Sequence, residues 1–371
     1  MQINQYSEYS KIAVLNIWKR GGDGHDEDEI FRLLDSGKEV KEYIYAMPQE
    51  WELPPTEYLE KLKEYAEKSK FKMTIVTGGL VDSYVKNLWF LTPEEIMTKY
   101  SFIKVVSYPW FCLKRTREQL FSQSMNKEYE NYPSLFSDQD YKFHFITMNH
   151  EPHVWRCEMM DLLAKYNLLN NNAVTWRLFN SRYKFKYWEP ETRTLSDNFS
   201  ELHCTDVSLL PLEYDQSFAQ LISESTVYCT FFTEKTTNAL AKGKPFLVCG
   251  PAGYHENLRK FGFELYDEIF NYSFDSEPDQ TKRFEKCIAN LLKLSKIPKD
   301  QLHLLRDKIK DKLIHNQQRI ESIYFDTSFM SEYSYKICEH YEKTGEWLDD
   351  GLYSENYVYM NKLREELNKN L

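Results

Sequence analysis

Strand-length apolar runs alternate with helix-period segments along most of this chain, and that alternation is what most narrows the folds open to it. Residues 12–18 (IAVLNIW), 43–46, 72–77 (KMTIVT) and 102–107 (FIKVVS) read as strands. Between them, residues 56–68 place Tyr58, Leu59, Leu62, Tyr65 and Ala66 at helical spacing, and the acidic stretch 26–34 reads as a helix start, where carboxylates offset unpaired amide dipoles. Gly21, Gly22 and Gly24 follow the first strand, and Gly78-Gly79 follow the strand at 72–77. Strands, glycine turns and helices in this order predict an α/β domain.

A polar stretch rich in Tyr, Ser and Asn at 122–140 interrupts the series, which then begins again. A strand at 143–147 leads to a helix at 155–166. Residues 219–224 and 227–230 read as short strands around a turn. A helix at 233–241 precedes a strand at 245–249, and a helix at 255–261 is closed by Gly262. Long helices follow at 283–294 and 299–324. With 371 residues the chain is long enough for two cores. The expected organisation is two Rossmann-like domains, 1–125 and 141–325, and a helical, tyrosine-rich tail over 326–371 that packs back across both lobes.

Composition excludes some classes. The net charge of −10 argues against a general electrostatic grip on nucleic acid or an anionic membrane. It leaves open a local basic groove built from Arg177, Arg182, Lys184 and Lys186. No apolar run approaches the ~20 residues of a membrane span, and the polar start MQINQYSEYSK is unlike a signal peptide. Seven cysteines without a CxxC read as reduced thiols, and the expected location is cytoplasmic, in a host cell if the chain is viral. Two Asp-x-Asp patterns, 26–28 and 138–140, follow no convincing strand, and His144, His150 and His153 lack a ligand spacing. No metal or other cofactor is expected. The loop at 21–24 lacks the GK(S/T) of a phosphate-binding P-loop.

The segment most suggestive of chemistry is 227–275. Within it Thr233-Glu234-Lys235 form the first turn of a helix after a strand. Free amides, the positive dipole end and a lysine suit a pyrophosphate there; Glu234 suits a ribose diol, and Asn238 follows one turn later. The plainer reading is a Thr233 cap with Glu234 and Lys235 as a solvated pair. Arg156 opens the helix after the strand at 143–147, placed to fork onto phosphate oxygens. Its plainer role is a surface pair with Glu158 or Asp161.

The run TEKTTNALAKGKPFLVCG, 233–250, resembles the TEK-x-x-x-AL-x-x-G-x-P signature of α-1,3-fucosyltransferase and exostosin-type glycosyltransferases. It is more similar still to a set of viral and bacterial glycosyltransferase-like proteins. The pattern continues through Gly250–Gly253, Asn257-Leu258-Arg259, Gly262-Phe263 and Asp267 to Phe274-Asp275, where Phe274 replaces the usual Tyr. Residues 143–169 resemble the strand, N-x-x-x-R-x-x-R and helix that open the donor domain of the same proteins. Asn149 stands at the first position of that pattern, His153 where the first arginine is common, and Arg156 at the second arginine.

The resemblance implies a GT-B arrangement, with two lobes facing across a cleft, and an inverting, metal-independent sugar transfer. The partner it implies is a nucleotide-diphosphate sugar held by Asn149, Arg156, Thr233, Glu234, Lys235 and Asn238. The acceptor would be a hydroxyl, on a carbohydrate in preference to hydroxymethylated viral DNA, which stays open as the alternative. The catalytic base has no motif. Loops at the carboxyl ends of parallel strands nominate Asp82, then Asp23 and His25. The rival expectation is a non-catalytic sugar- or nucleotide-binding assembly protein on the same fold.

Overall fold

A computed structural model describes residues 5–7, 11–16, 28–47, 50–108, 140–149, 152–177, 182–195, 210–323 and 343. The chain divides into two compact units. One comprises Met1–Leu113 with Ile323–Leu371, and the other Lys114–Ser322.

The first unit holds a sheet in the order β1(Gln5–Ser7)-β2(Ile12–Asn16)-β3(Glu42–Met47)-β4(Lys72–Thr77)-β5(Ile103–Ser107). β1 is antiparallel to β2, and the rest are parallel. Helices α1(Glu29–Asp35), α2(Thr56–Ser69) and α3(Pro93–Lys99) lie between the strands. Alternation along the strands sends Ala13, Leu15, Tyr43, Tyr45, Met47, Met73, Ile75, Ile103 and Val105 to one face. There they pack on Ile30 and Phe31 of α1, Leu59 and Leu62 of α2, and Ile96 of α3. α3 starts at a capping box in which the Thr92 hydroxyl accepts from the Glu95 amide and the Glu95 carboxylate from the Thr92 amide.

The second unit holds a wholly parallel sheet, β7(Ala173–Val174)-β6(Phe143–Thr147)-β8(Ser217–Ser223)-β9(Phe246–Cys249). Every residue of β8 is buried, as expected of an inner strand covered on both faces. α4(Val154–Lys165) follows β6, α5(Leu212–Asp215) precedes β8, and α6(Glu234–Ala241) links β8 to β9. Then come α7(Tyr254–Lys260), α8(Gln280–Leu294), α9(Leu302–Lys308) and α10(Lys310–Ser322). α8 packs on α4 and β9, while α10 packs on α6. Both units are therefore α/β with parallel strands, as the alternation predicts.

Two local expectations change. Residues 227–230 are an irregular connection rather than a strand, because β8 is already paired on both edges, with β6 and β9, and no hairpin partner is needed. The helix expected over 299–324 is broken at Ile309, whose φ of −110° and ψ of 8° separate α9 from α10 while Ile309 stays fully buried. The expected tail helix over 326–371 lies outside the described residues, apart from Lys343.

Candidate functional site

The two sheets differ in one respect that locates a site. In the first unit the parallel strands succeed one another in chain order, so no crossover changes direction. In the second, the chain leaves β6 for β7 on one side and later returns to place β8 on the other. The carboxyl ends of β6 and β8 thus form a topological switch point, the place in an open α/β sheet where a crevice opens for a ligand. The two helices that begin there are α4, after β6, and α6, after β8. Right-handed crossovers put them on opposite faces of the sheet.

Arg156 lies in the first turn of α4 and is 4% exposed. The surface pairing considered for it is not what its acidic neighbours make. Glu158 accepts from Gln280 (2.7 Å) and Thr281, and Asp161 accepts from the backbone amides of Lys186 and Tyr187 at 2.7–3.0 Å. The Arg156 guanidinium also contributes, as the smallest of several causes, to lowering the carboxyl of Glu234, the first residue of α6.

At α6 both readings of Thr233 and the Glu234–Lys235 pair are realised in part. Thr233 is the cap, accepting from the Lys235 amide at 3.3 Å. Lys235 Nζ donates to Glu234 Oε1 at 2.6 Å. The pair is not solvated, however; the side chains retain only 14% and 17% of their exposure. Burial alone would raise the Glu234 carboxyl. The Lys235 ammonium, the residue's own amide and the Arg156 guanidinium outweigh it and hold the group below the usual carboxylate value. Two cations and a carboxylate, supplied by the starts of two helices, are thus concentrated at the switch point.

Asn238 is buried one turn along α6, and Asn149 sits at the end of β6 with no exposed surface. The Asn149 amide nitrogen of the backbone donates to Thr175 Oγ1 (2.8 Å), and its side chain donates to Thr147 Oγ1 (3.1 Å). Since Ile146 pairs with Gln220, Asn149 is level with Ser223, the last residue of β8. Both side chains are buried. His153, where the resemblance has an arginine, stacks on Trp155 (centroids 5.0 Å apart, planes at 11°), and Tyr228 meets the same indole edge-on.

The residue that sequence reading missed is Glu224. It follows β8 directly and is wholly buried, and its carboxylate gathers the hydroxyls of Thr233, Thr236 and Tyr254. Its carbonyl accepts from the Trp155 indole at 3.0 Å, tying the start of α4 to the end of β8. The available signal was an acid at the carboxyl end of an apolar strand, and it was absorbed into the strand at 219–224.

Asp275, at the end of the resembling segment, serves another helix. It accepts from the amides of His255 and Glu256 in the first turn of α7 and from His255 Nδ1 (2.8 Å). The Val248 amide donates to His255 Nε2, which fixes the proton on Nδ1.

Asp82 lies in the first unit, exposed on a one-turn helix after β4. Asp23 and His25 lie outside the described residues. Arg177, Arg182, Lys184 and Lys186 are all exposed. Among the described residues no group of three or more His, Cys, Asp or Glu is arranged to hold a metal ion, and no helix is long and apolar enough to cross a membrane. Cys157, Cys229, Cys249 and Cys287 are buried and not in disulfides. A groove of about 520 Å³ is lined by Ala164, Asn167, Tyr187 and Trp188, among others. It adjoins the C-terminal end of α4, opposite the end that carries Arg156. Comparison with family models, curated proteins and solved structures gives no match to this chain.

Proposed function

We propose that the second unit binds a nucleotide-diphosphate sugar at the β6/β8 switch point, and that the protein is a glycosyltransferase of GT-B arrangement. One observation carries this reading: Arg156 from α4 and Thr233-Glu234-Lys235 from α6 are delivered to the same switch point, close enough for the Arg156 charge to act on Glu234. Arg156, Lys235 and the amide end of α6 would take the diphosphate, and Glu234 the ribose hydroxyls. As the sugar departs, negative charge grows on the diphosphate. Fixed cations there stabilise the transition state more than the ground state, so metal-independent transfer is chemically sufficient. The acceptor is a hydroxyl, on a glycan in preference to DNA, and an inverting step would draw its base from Asp82 or Asp23.

The second reading is a non-catalytic nucleotide- or sugar-binding protein. The ion pair between Lys235 and Glu234 favours it, since a diphosphate must compete with a carboxylate for that ammonium.

A thermal-shift screen against UDP, GDP, CDP and ADP sugars, followed by assay of donor hydrolysis, separates these. A glycosyltransferase gives stabilisation by one nucleotide class together with slow hydrolysis. Tight binding without hydrolysis supports the second reading, and no stabilisation by any donor removes both. Arg156→Ala or Lys235→Ala should weaken donor binding by ~2 kcal/mol, roughly thirtyfold, in calorimetric titration.

A further inference from the structure

Beneath the start of α6 lies a group of oxygen atoms in mutual hydrogen-bond contact. Glu224 Oε2 is 2.7 Å from the Thr233 hydroxyl. Oε1 is 2.8 Å from the Thr236 hydroxyl and 2.6 Å from that of Tyr254. The Thr236 and Tyr254 oxygens are also 2.8 Å from each other. Four contacts join these groups, but three hydroxyls bring only three protons. With Glu224 ionised, one of the four contacts must lack a hydrogen, for instance when Thr236 and Tyr254 both aim their single proton at Oε1. Two hydroxyl oxygens then face one another at 2.8 Å with no hydrogen between them. A proton on Oε1 completes the ring: Oε1–H to Tyr254, Tyr254 to Thr236, and Thr236 back to Oε1. Oε2 remains the acceptor for Thr233.

We infer that Glu224 is held as the neutral acid and is the positioning residue of the anion site, fixing the first turn of α6 through Thr233 and Thr236 while leaving the Lys235 charge to the ligand. The inference rests on the donor-binding reading and deepens it. Complete burial favours the same protonation state, pushing the carboxyl above its ordinary value against the pull of Lys235 and the three hydroxyls. Thr233, having given its proton to Oε2, presents lone pairs to the Lys235 amide and so orients the amide end of α6.

Ionisation would change the site. Lys235 already pairs with Glu234, and a charged Glu224 adds a second carboxylate competing for the same ammonium. Among the described residues, the charged and titratable groups around Glu224 are Lys235 and Glu234 on α6, Tyr254 on α7, and Arg156 on α4, whose field reaches Glu234. His255, beside Tyr254, is engaged by Asp275. A diphosphate therefore binds the neutral form of Glu224 better, and by linkage its affinity falls as rising pH removes that proton.

The test uses the full chain and the Glu224→Gln variant, whose amide is always neutral and can donate into the ring as the acid does. Difference infrared spectroscopy should show a carboxylic-acid C=O band in the wild type that the variant lacks. Calorimetric titration with inorganic pyrophosphate, and with the nucleoside diphosphate chosen by the screen, runs from about pH 6 to about pH 9. Infrared spectra taken across the same series mark where Glu224 loses its proton, and over that range wild-type affinity should fall about tenfold more than that of the variant. The ligands' own titration is common to both proteins and cancels. A missing acid band overturns the neutral-acid assignment, and loss of that band with no fall in affinity relative to the variant overturns the positioning role. Failure of the wild type to bind either probe overturns the donor-site reading and the positioning role with it, while the infrared band still reports the proton.

Discussion

Lys244, at the start of the β9 segment, is 7% exposed, and its ammonium donates to the Ser217 carbonyl and lies 4.7 Å from the centre of the Tyr214 ring. Burial pushes it down from 10.5 to about 7, with Asp215 pulling it back up and Lys242 adding to the depression. The unfolded chain therefore binds more protons at this residue than the folded one between pH about 7 and 10.5, and stability rises with pH through that window. The slope approaches ~1.4 kcal/mol per pH unit where the folded lysine is neutral and the unfolded one charged. Urea unfolding of wild type and Lys244→Met, from about pH 7 to about pH 9, should give a rising curve for the wild type and a flatter one for the variant. Higher pH would confuse the comparison, since tyrosines such as the half-buried Tyr183, pushed up to about 12, act with the opposite sign there. Equal slopes would show that the ammonium keeps its charge in the folded state.

At the scale of elements, α6 begins at a threonine that does two things. Thr233 caps the helix through the Lys235 amide and donates to Glu224. Thr233→Val removes both interactions at nearly constant shape. The lost cap costs ~1 kcal/mol, and the buried acceptor left on Glu224 a further ~1–3 kcal/mol. Thr233→Ser should recover most of the loss in denaturant midpoint; if Val and Ser variants unfold alike, the hydroxyl is not structural. The existence of α6 was legible because a polar cap, a helical period and GKPF punctuate it. Strands such as Lys72–Thr77 and Phe143–Thr147 were legible in full, since continuous apolar runs ending in turns have few other uses. β1 and β7, of three and two residues, are made by their partners and carry no pattern of their own. No glycine or proline marks the break at Ile309. The site was half legible: Arg156, Thr233, Glu234 and Lys235 sit at helix starts, where local sequence speaks. The role of Glu224 depends on Tyr254, 30 residues away, a contact only the folded chain supplies.

For the whole molecule, the instructive asymmetry is between the sheets. Parallel strands placed in chain order by right-handed crossovers send every connecting helix to one face, and the first unit obeys: α1, α2 and α3 all pack on the side that carries Tyr43, Tyr45 and Ile75. Yet the opposite side is just as dry. Val14 is 3% exposed, and Ile44, Ala46 and Val76 show no exposure at all. Those side chains need a cover that α1–α3 do not provide, and the rest of this unit includes Ile323–Leu371, which joins it from the far end of the chain. Uncovering Val14, Ile44 and Val76 would forfeit ~1.5–3 kcal/mol each, a total comparable with the whole stability of a small domain. A chain ending at residue 322 should therefore lose the unfolding transition of the first unit and bind a hydrophobic dye. The second unit, whose strands and helices are contiguous within Lys114–Ser322, should keep its own cooperative transition and its thermal response to donors. Two intact transitions in the shortened chain would mean that the cover does not come from Ile323–Leu371, and the C-terminal segment could then be assigned no part in holding the first sheet.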